Sequence, residues 1–357
     1  MIRVGSMDRA VSDLIAEYEL AARANLPAAA FDYFAGGAGD ELSLEESLVA
    51  WRRHRLRPHA FPGAAVPDLS TTVLDTPLSS PVIVAPTAWQ QVGHAMGEVE
   101  MARGVSAAGG LMVVATRSTS VIEDIAAALT GPWWYQVYVV KQRRITAELV
   151  QRAVGLGARA LMLTADTPYI GFKRRGHVPP VTVEQHLVNF GRHLAPNAEV
   201  AEITRHIDQD ASISLETIAW LRDTAGVPVL VKGILRGDDA AACLDAGAAG
   251  VVVSNHGGRQ LDRAIATAVA LPEVVTAVGG RGPVLVDGGM RSGIDVLVAL
   301  ALGATATMVG RPALWGLAAQ GAAGVERILD GFRDELAHAM GLAGAPSIAA
   351  IGSDLVV

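Results

Sequence analysis

Residues 251–262 read VVVSNHGGRQLD. Three valines lead straight into Ser254, Asn255, His256, two glycines and Arg259. An imidazole titrates near neutral pH and can take or give a proton. Arg259, three residues on, carries a permanent charge and a planar fork that matches a carboxylate. Gly257 and Gly258 let the backbone pass close to a ligand. Proton transfer beside a bound anion is the chemistry these types suit. Taken alone, the stretch would also serve as an ordinary turn at a strand end.

A second cluster falls in VDGGMRSGIDV (286–296) and MVGRPALWGL (308–317). Each places Gly and Arg where a strand gives way to a helix. Helix N-termini offer unpaired N–H groups to anions, and arginine adds forked donors. Either segment alone also reads as a helix cap with a surface arginine. Together, on consecutive strand–helix junctions, they favour a phosphate group.

The elements that must position these clusters recur along the chain. Apolar runs occupy 81–88, 111–118, 133–140, 159–166, 228–233, 250–258, 283–289 and 306–312. Continuous rather than alternating apolar runs suit parallel strands covered on both faces. Alanine-rich helical stretches ending in glycine lie between most of them. Eight such units predict a closed (β/α)8 TIM barrel. An open doubly wound sheet has less support, since no G-x-G-x-x-G follows the first strand. Barrel enzymes put their chemistry at the C-terminal strand ends. Those ends carry Thr87, Thr116 with Arg117, Gln136 with Tyr138, Thr164 with Asp166, Lys232, Ser254 with His256, Asp287, and Gly310 with Arg311.

The chain reads as one domain of 357 residues. Residues 1–80 form an N-terminal helical extension, 81–320 the barrel, and 321–357 C-terminal helices. The interval 169–215 is too long for an ordinary loop and predicts a lid or binding loop after the fourth strand. With 51% apolar and 18% charged residues, a large core is within reach. A net charge of −7 argues against a nucleic-acid-binding surface. The one cysteine, Cys243, rules out an internal disulfide and fits a reducing cytoplasm. No metal site and no membrane span are expected, and the charged N-terminus does not resemble a signal peptide.

With both clusters placed, the chain resembles the FMN-dependent 2-hydroxy acid oxidase/dehydrogenase family, the glycolate-, lactate- and mandelate-oxidising flavoenzymes. The segments that carry the resemblance include LPAAAFDYFAGGAGDE, APTAWQQVGHAMGE, YQVYV, LTADTP, VLVKGI, SNHGGRQLD and DGGMRSG, in family order over nearly the whole chain. The resemblance implies FMN as cofactor and His256 as the base at the substrate α-carbon. It implies Asp166 as the carboxylate that stabilises the imidazolium. Lys232 becomes the cation beside the flavin N1 and C2 carbonyl, and Tyr33 and Tyr138 the hydroxyls that bind substrate. Arg259 becomes the carboxylate clamp. Ala88, Thr116, Gln136, Thr164 and Ser254 match flavin-ring contacts. Asp287, Gly289, Arg291, Gly310 and Arg311 match ribityl and phosphate contacts.

Two departures stand out. Relatives have a second carboxylate-binding arginine two residues after the glycine of DTPxxG; here DTPYIGFKRRG places Lys173 there, with Arg174 next. A lysine cannot reproduce the two-bond fork, so either Arg174 shifts in or the second clamp is weaker. Arg117 stands where relatives have an aromatic residue facing substrate. It is expected to replace part of that clamp or to select a more acidic or polar substrate, unless it turns to solvent or a neighbouring carboxylate.

The expected activity is oxidation of an L-2-hydroxy acid to the 2-oxo acid, with reoxidation by O2 and release of peroxide. An aryl acid such as mandelate fits as well as a small one. The alternatives are a dehydrogenase using a quinone or cytochrome, a flavin-dependent isomerase, and a non-catalytic flavin or phosphate binder. The resemblance also implies a homotetramer.

Overall fold

The computed structural model describes residues 9–61, 66–176, 180–190 and 207–357. Helices α1 (Val11–Asn25), α2 (Ala28–Ala35) and α3 (Leu42–Ala50) precede a short hairpin of β1 (Thr71–Val73) and β2 (Thr76–Leu78). Eight parallel strands follow: β3 (Val82–Val84), β4 (Leu111–Ala115), β5 (Trp133–Val137), β6 (Leu161–Thr164), β7 (Val229–Ile234), β8 (Gly250–Val253), β9 (Val284–Val286) and β10 (Ala306–Val309). They pair in chain order and β10 pairs back to β3, closing a (β/α)8 barrel.

Each predicted apolar run holds one strand, but most strands stop earlier than the run. The surplus residues, such as Thr116–Ser118, Ala165–Asp166 and Ser254–Gly258, form the loops at the C-terminal rim. Within the strands, side chains alternate. Ile83, Val113, Trp134, Met162, Leu230, Val252, Leu285 and Met308 fill the barrel interior. Their neighbours Val84, Val114, Leu161, Val231, Val251 and Val286 pack in the outer core cluster. Both faces are dry, which is why the period of two is hidden in an unbroken apolar string.

The outer layer comprises α4 (Gly97–Ala107), α5 (Ile122–Ala128), α6 (Arg143–Gly155), then, after α7 (Val183–Leu187) of the insertion, α8 (Glu216–Ala225), α9 (Gly237–Asp245), α10 (Thr267–Val278), α11 (Gly293–Ala301) and α12 (Arg311–Ala343). Gly226 (φ 67°) and Gly279 (φ 57°) end α8 and α10 in the left-handed conformation. The long α12 breaks at Gln320–Gly321, where Gly321 has φ 59°.

Val73 and Leu78 of the hairpin pack into the interior cluster, and Ser79 Oγ donates to Gly109 O at 3.0 Å. The hairpin thereby closes the N-terminal mouth of the barrel. At the other mouth lie the C-terminus of α2 and both ends of the 169–215 insertion. Asn189 Oδ1 accepts from Ile122 N at 3.0 Å. The returning chain bonds alongside the exit of β5, with Lys141 N to Asp208 O at 2.9 Å and Asp210 N to Val139 O at 2.8 Å. Residues 177–179 and 191–206 of this expected lid lie outside the described residues.

Candidate active site

His256, Gly257 and Gly258 are three successive left-handed residues, with φ of 58°, 65° and 73°. Glycine adopts this freely; a histidine does so at a cost of about 1–3 kcal/mol, a pattern concentrated at functional sites. The turn brings His256 Nδ1 to 3.0 Å from Asp166 Oδ1. Asp166 is partly buried, and desolvation alone would push its carboxyl up; His256 and Lys232 outweigh that and hold it below its ordinary value. An ionised Asp166 keeps the proton on Nδ1, so Nε2 presents its lone pair. Gly233 makes room for this pair. It has φ 103° at a register shift in β7, and a Cβ there would meet Asp166 Cβ at 2.5 Å.

A buried polar row runs across the strand ends. Lys232 Nζ donates to Ser254 Oγ at 2.7 Å and lies 3.1 Å from Asp287 Oδ2. Gln136 Nε2 donates to Thr164 Oγ1 at 2.9 Å, and its Oε1 accepts from Thr116 N at 3.1 Å. Thr116 Oγ1 in turn accepts from Tyr138 N at 3.1 Å. Burial pushes the Tyr138 and Tyr33 hydroxyls up, so both stay protonated donors.

Arg259 lies 5.0 Å over the Tyr33 ring, and its Nη1 donates to Tyr33 O and Gly36 O, both at 2.8 Å. These are the free carbonyls at the C-terminus of α2. Lys173 is only 8% exposed, with Nζ on Gly171 O at 3.2 Å. Burial, helped by Arg259, pushes its ammonium down to about 8. Neither cation has a carboxylate in ion-pair range among the described residues. Arg174 does not join them. Its side chain is 69% exposed and pairs with Asp40 at 2.5 Å. Lys173 bridges to Gly39 as extended chain, and extended chain turns successive side chains to opposite sides. One residue inward therefore means the next is outward.

Arg117 is placed differently from the expected clamp. Its Nη2 donates to Ile207 O at 2.5 Å, Nη1 lies 3.2 Å from His186 Nε2, and the guanidinium sits 5.1 Å over the Phe190 ring. It reaches into the insertion rather than toward Arg259.

At the last two strand ends, Ser292 caps α11 in a capping box with Asp295, whose Oδ2 also accepts from Arg291 N at 2.8 Å. Arg311 opens α12. Three of its donors rest on Phe34 O, Gly257 O and Gly36 O, at 2.9, 3.0 and 2.9 Å. Burial, with Arg259 and Arg291 close by, pushes it down to about 9. At Gly310, just before it, a Cβ would make only ordinary contact, with Thr87 Cγ2 at 3.7 Å, so packing does not demand glycine there. At Gly289 a Cβ would collide with Ser47 O at 1.8 Å, so packing against α3 alone demands glycine. Ala88 sits on the loop after β3, between Thr87 and Trp89.

The FMN-dependent dehydrogenase family model matches residues 22–357. The chain belongs to that family. A peroxisomal (S)-2-hydroxy-acid oxidase of Oryza sativa subsp. japonica is 42% identical over 348 residues, covering 94% of this chain and 93% of that protein. An L-lactate oxidase of Nostoc sp. is 41% identical over 344 residues, covering 93% of this chain and 94% of its own length. A mandelate oxidase structure with (S)-2-phenylpropionate superposes with TM-score 0.83 at 37% identity, over 96% of this chain and 97% of that one.

The side chains of this family member suit FMN. Asp287 Oδ1 is buried without a hydrogen-bond partner, a position for a ribityl hydroxyl. Arg291 and Arg311 are partly buried cations with no carboxylate in ion-pair range among the described residues, beside two helix N-termini, the surroundings a phosphate needs. Lys232 supplies positive charge within the polar row of Gln136, Thr164 and Ser254.

Several supporting residues were not singled out by the sequence reading. Glu98 is fully buried and accepts from Gln90 N, Thr119 N and Ser120 N at 3.0, 2.9 and 3.0 Å, joining the loops that carry Trp89 and Arg117. Gln260 Nε2 donates to Asp166 O at 3.1 Å and Tyr169 O at 2.9 Å. Asn255 Nδ2 reaches Ser47 Oγ at 3.0 Å. Glu98, Asn255 and Gln260 all lie inside the quoted motifs, so the signal was there. His186 had none.

Proposed function

We propose that this chain is an FMN-dependent (S)-2-hydroxy acid oxidase, converting the acid to its 2-oxo acid and O2 to H2O2. The observation that carries this is the 3.0 Å His256–Asp166 pair facing a substrate end with two uncompensated cations, Arg259 and Lys173. Arg291, Arg311, Asp287 and Lys232 would hold the cofactor. FMN, when bound, would supply the two-electron redox chemistry that links oxidation of the acid to O2. The chain's own residues do the rest. Arg259 and Lys173 pair with the substrate carboxylate, and Tyr33 and Tyr138 donate hydroxyl hydrogen bonds that orient it. His256 Nε2 takes the substrate proton, and Asp166 stabilises the imidazolium that results. Gln136, Thr164 and Ser254 fix the polar row beneath.

Two further readings go with this. The chain assembles as a homotetramer, supported by an exposed apolar patch around the barrel mouth. It works in a reducing cytoplasm, where its buried Cys243 stays a thiol.

The test is anaerobic mixing with a panel of (S)-2-hydroxy acids. The flavin absorbance should bleach, and air should restore it with one peroxide formed per 2-oxo acid. His256→Ala should lower the bleaching rate by at least a hundredfold, in line with the ~10²–10⁴ contributed by a positioned base. Absence of bleaching with every acid would overturn the reading.

A further inference from the structure

The charges around the site do not balance for a substrate with one carboxylate. Lys232 is matched by Asp287 and His256 by Asp166. A cofactor phosphate would answer Arg291 and Arg311, and one substrate carboxylate would answer Arg259 with Lys173. Arg117 is left over. It is only 9% exposed, and no carboxylate lies in ion-pair range among the described residues. Among the described residues Asp208 is the one carboxylate that acts on its charge, and it is paired at the surface with Lys141 at 3.2 Å. Arg117 meets a carbonyl and an imidazole instead, both neutral: His186 is pushed down to about 4 by burial and by Arg117 itself. Holding Ile207 and Phe190 in place needs no charge, and a buried charge without a counter-ion is costly.

Arg117 also belongs to the wall of the site. Its carbonyl accepts from Trp89 N at 2.9 Å. The Trp89 ring lies 5.6 Å from Tyr33 and 6.0 Å from His186, which in turn touches Arg117. Tyr33, Trp89, His186 and Arg117 thus form an arc leading from the carboxylate clamp to the insertion. Trp89 is held there in a left-handed conformation, φ 57°, and its indole N–H is buried with no acceptor. This arc offers a cation, Arg117, at the end away from Arg259, and a free donor, the Trp89 N–H, along its length.

We propose that the substrate is a 2-hydroxy dicarboxylic acid, whose second carboxylate pairs with Arg117 at the far end of this arc. The proposal rests on the oxidase reading above and names its substrate class. A purely alkyl or aryl side chain would leave the Arg117 charge uncompensated and the Trp89 N–H without an acceptor.

The test compares kcat/KM of the holoenzyme for (S)-malate and (S)-2-hydroxyglutarate with (S)-2-hydroxypentanoate and (S)-mandelate. At least one diacid should exceed both monoacids by tenfold or more. In Arg117→Met the diacid-to-monoacid ratio should fall at least tenfold, mainly through KM, and Arg117→Lys should retain most of it. A wild-type preference for either monoacid overturns the proposal, even if Arg117→Met fails to fold. So does a ratio unchanged in a folded Arg117→Met. In both cases the flavin still bleaches, so the oxidase reading survives. Bleaching by none of the four acids removes both.

Discussion

Lys173 shows how one residue's surroundings set a measurable property. Its ammonium is desolvated and faces Arg259 without a carboxylate, which brings its pKa to about 8. Below that pH it is charged and attracts the substrate carboxylate; above it the attraction is lost. KM for a 2-hydroxy acid should therefore rise as pH passes from about 7 to 9, with kcat changing less. In Lys173→Arg, whose charge persists to far higher pH, that rise should vanish. A KM profile flat in the wild type, or unmoved by the arginine, would show that Lys173 does not contact substrate.

At the scale of elements, the site depends on backbone irregularities more than on regular strands. Gly233 lets β7 bulge beside Asp166, and its φ of 103° is closed to other residues without strain. Gly233→Ala would add that strain and push a methyl to within 2.5 Å of the Asp166 side chain. We expect a loss of about 1–3 kcal/mol in stability. We also expect a fall in kcat of at least tenfold, as Asp166 leaves His256. Thermal melting and steady-state kinetics check the two effects; a variant with full kcat would mean that the bulge does not position Asp166. The same logic separates Lys173 from Arg174, since pairing as extended chain with Gly39 decides which one turns inward.

For the whole molecule, the mouth of the barrel carries a surface unusual for a monomer. Tyr169, Ile170 and Phe172 are 79%, 72% and 70% exposed, and Leu261 on the adjoining loop is 74% exposed. Gln260 stitches the two loops together through Tyr169 O. Clustered apolar groups of this kind mark association surfaces, and like chains associate with closed symmetry. The wild type should run as a tetramer in light scattering after size exclusion. Ile170→Ser combined with Phe172→Ser should shift it to smaller species with an unchanged circular dichroism spectrum. A doubly substituted protein that stays tetrameric would place the interface elsewhere. No helix among the described residues is long and apolar enough to cross a membrane.

The barrel was legible in the sequence because parallel strands buried on both faces must be apolar throughout, and eight such runs leave little choice of architecture. The neighbourhood of His256, Asp166, Lys232 and Asp287 was equally legible, since each lies at a strand end and the barrel brings those ends together. Arg174, Arg117 and His186 were not, because nothing local sets their direction. Whether Arg117 faces the clamp or the insertion depends on where Ile207 and Phe190 dock, ninety and seventy-three residues further along. Sequence by itself determined which elements form and which chemical groups stand at their ends. Only the tertiary structure decided which way the long charged side chains turn, because their partners come from distant segments that meet only when the barrel closes.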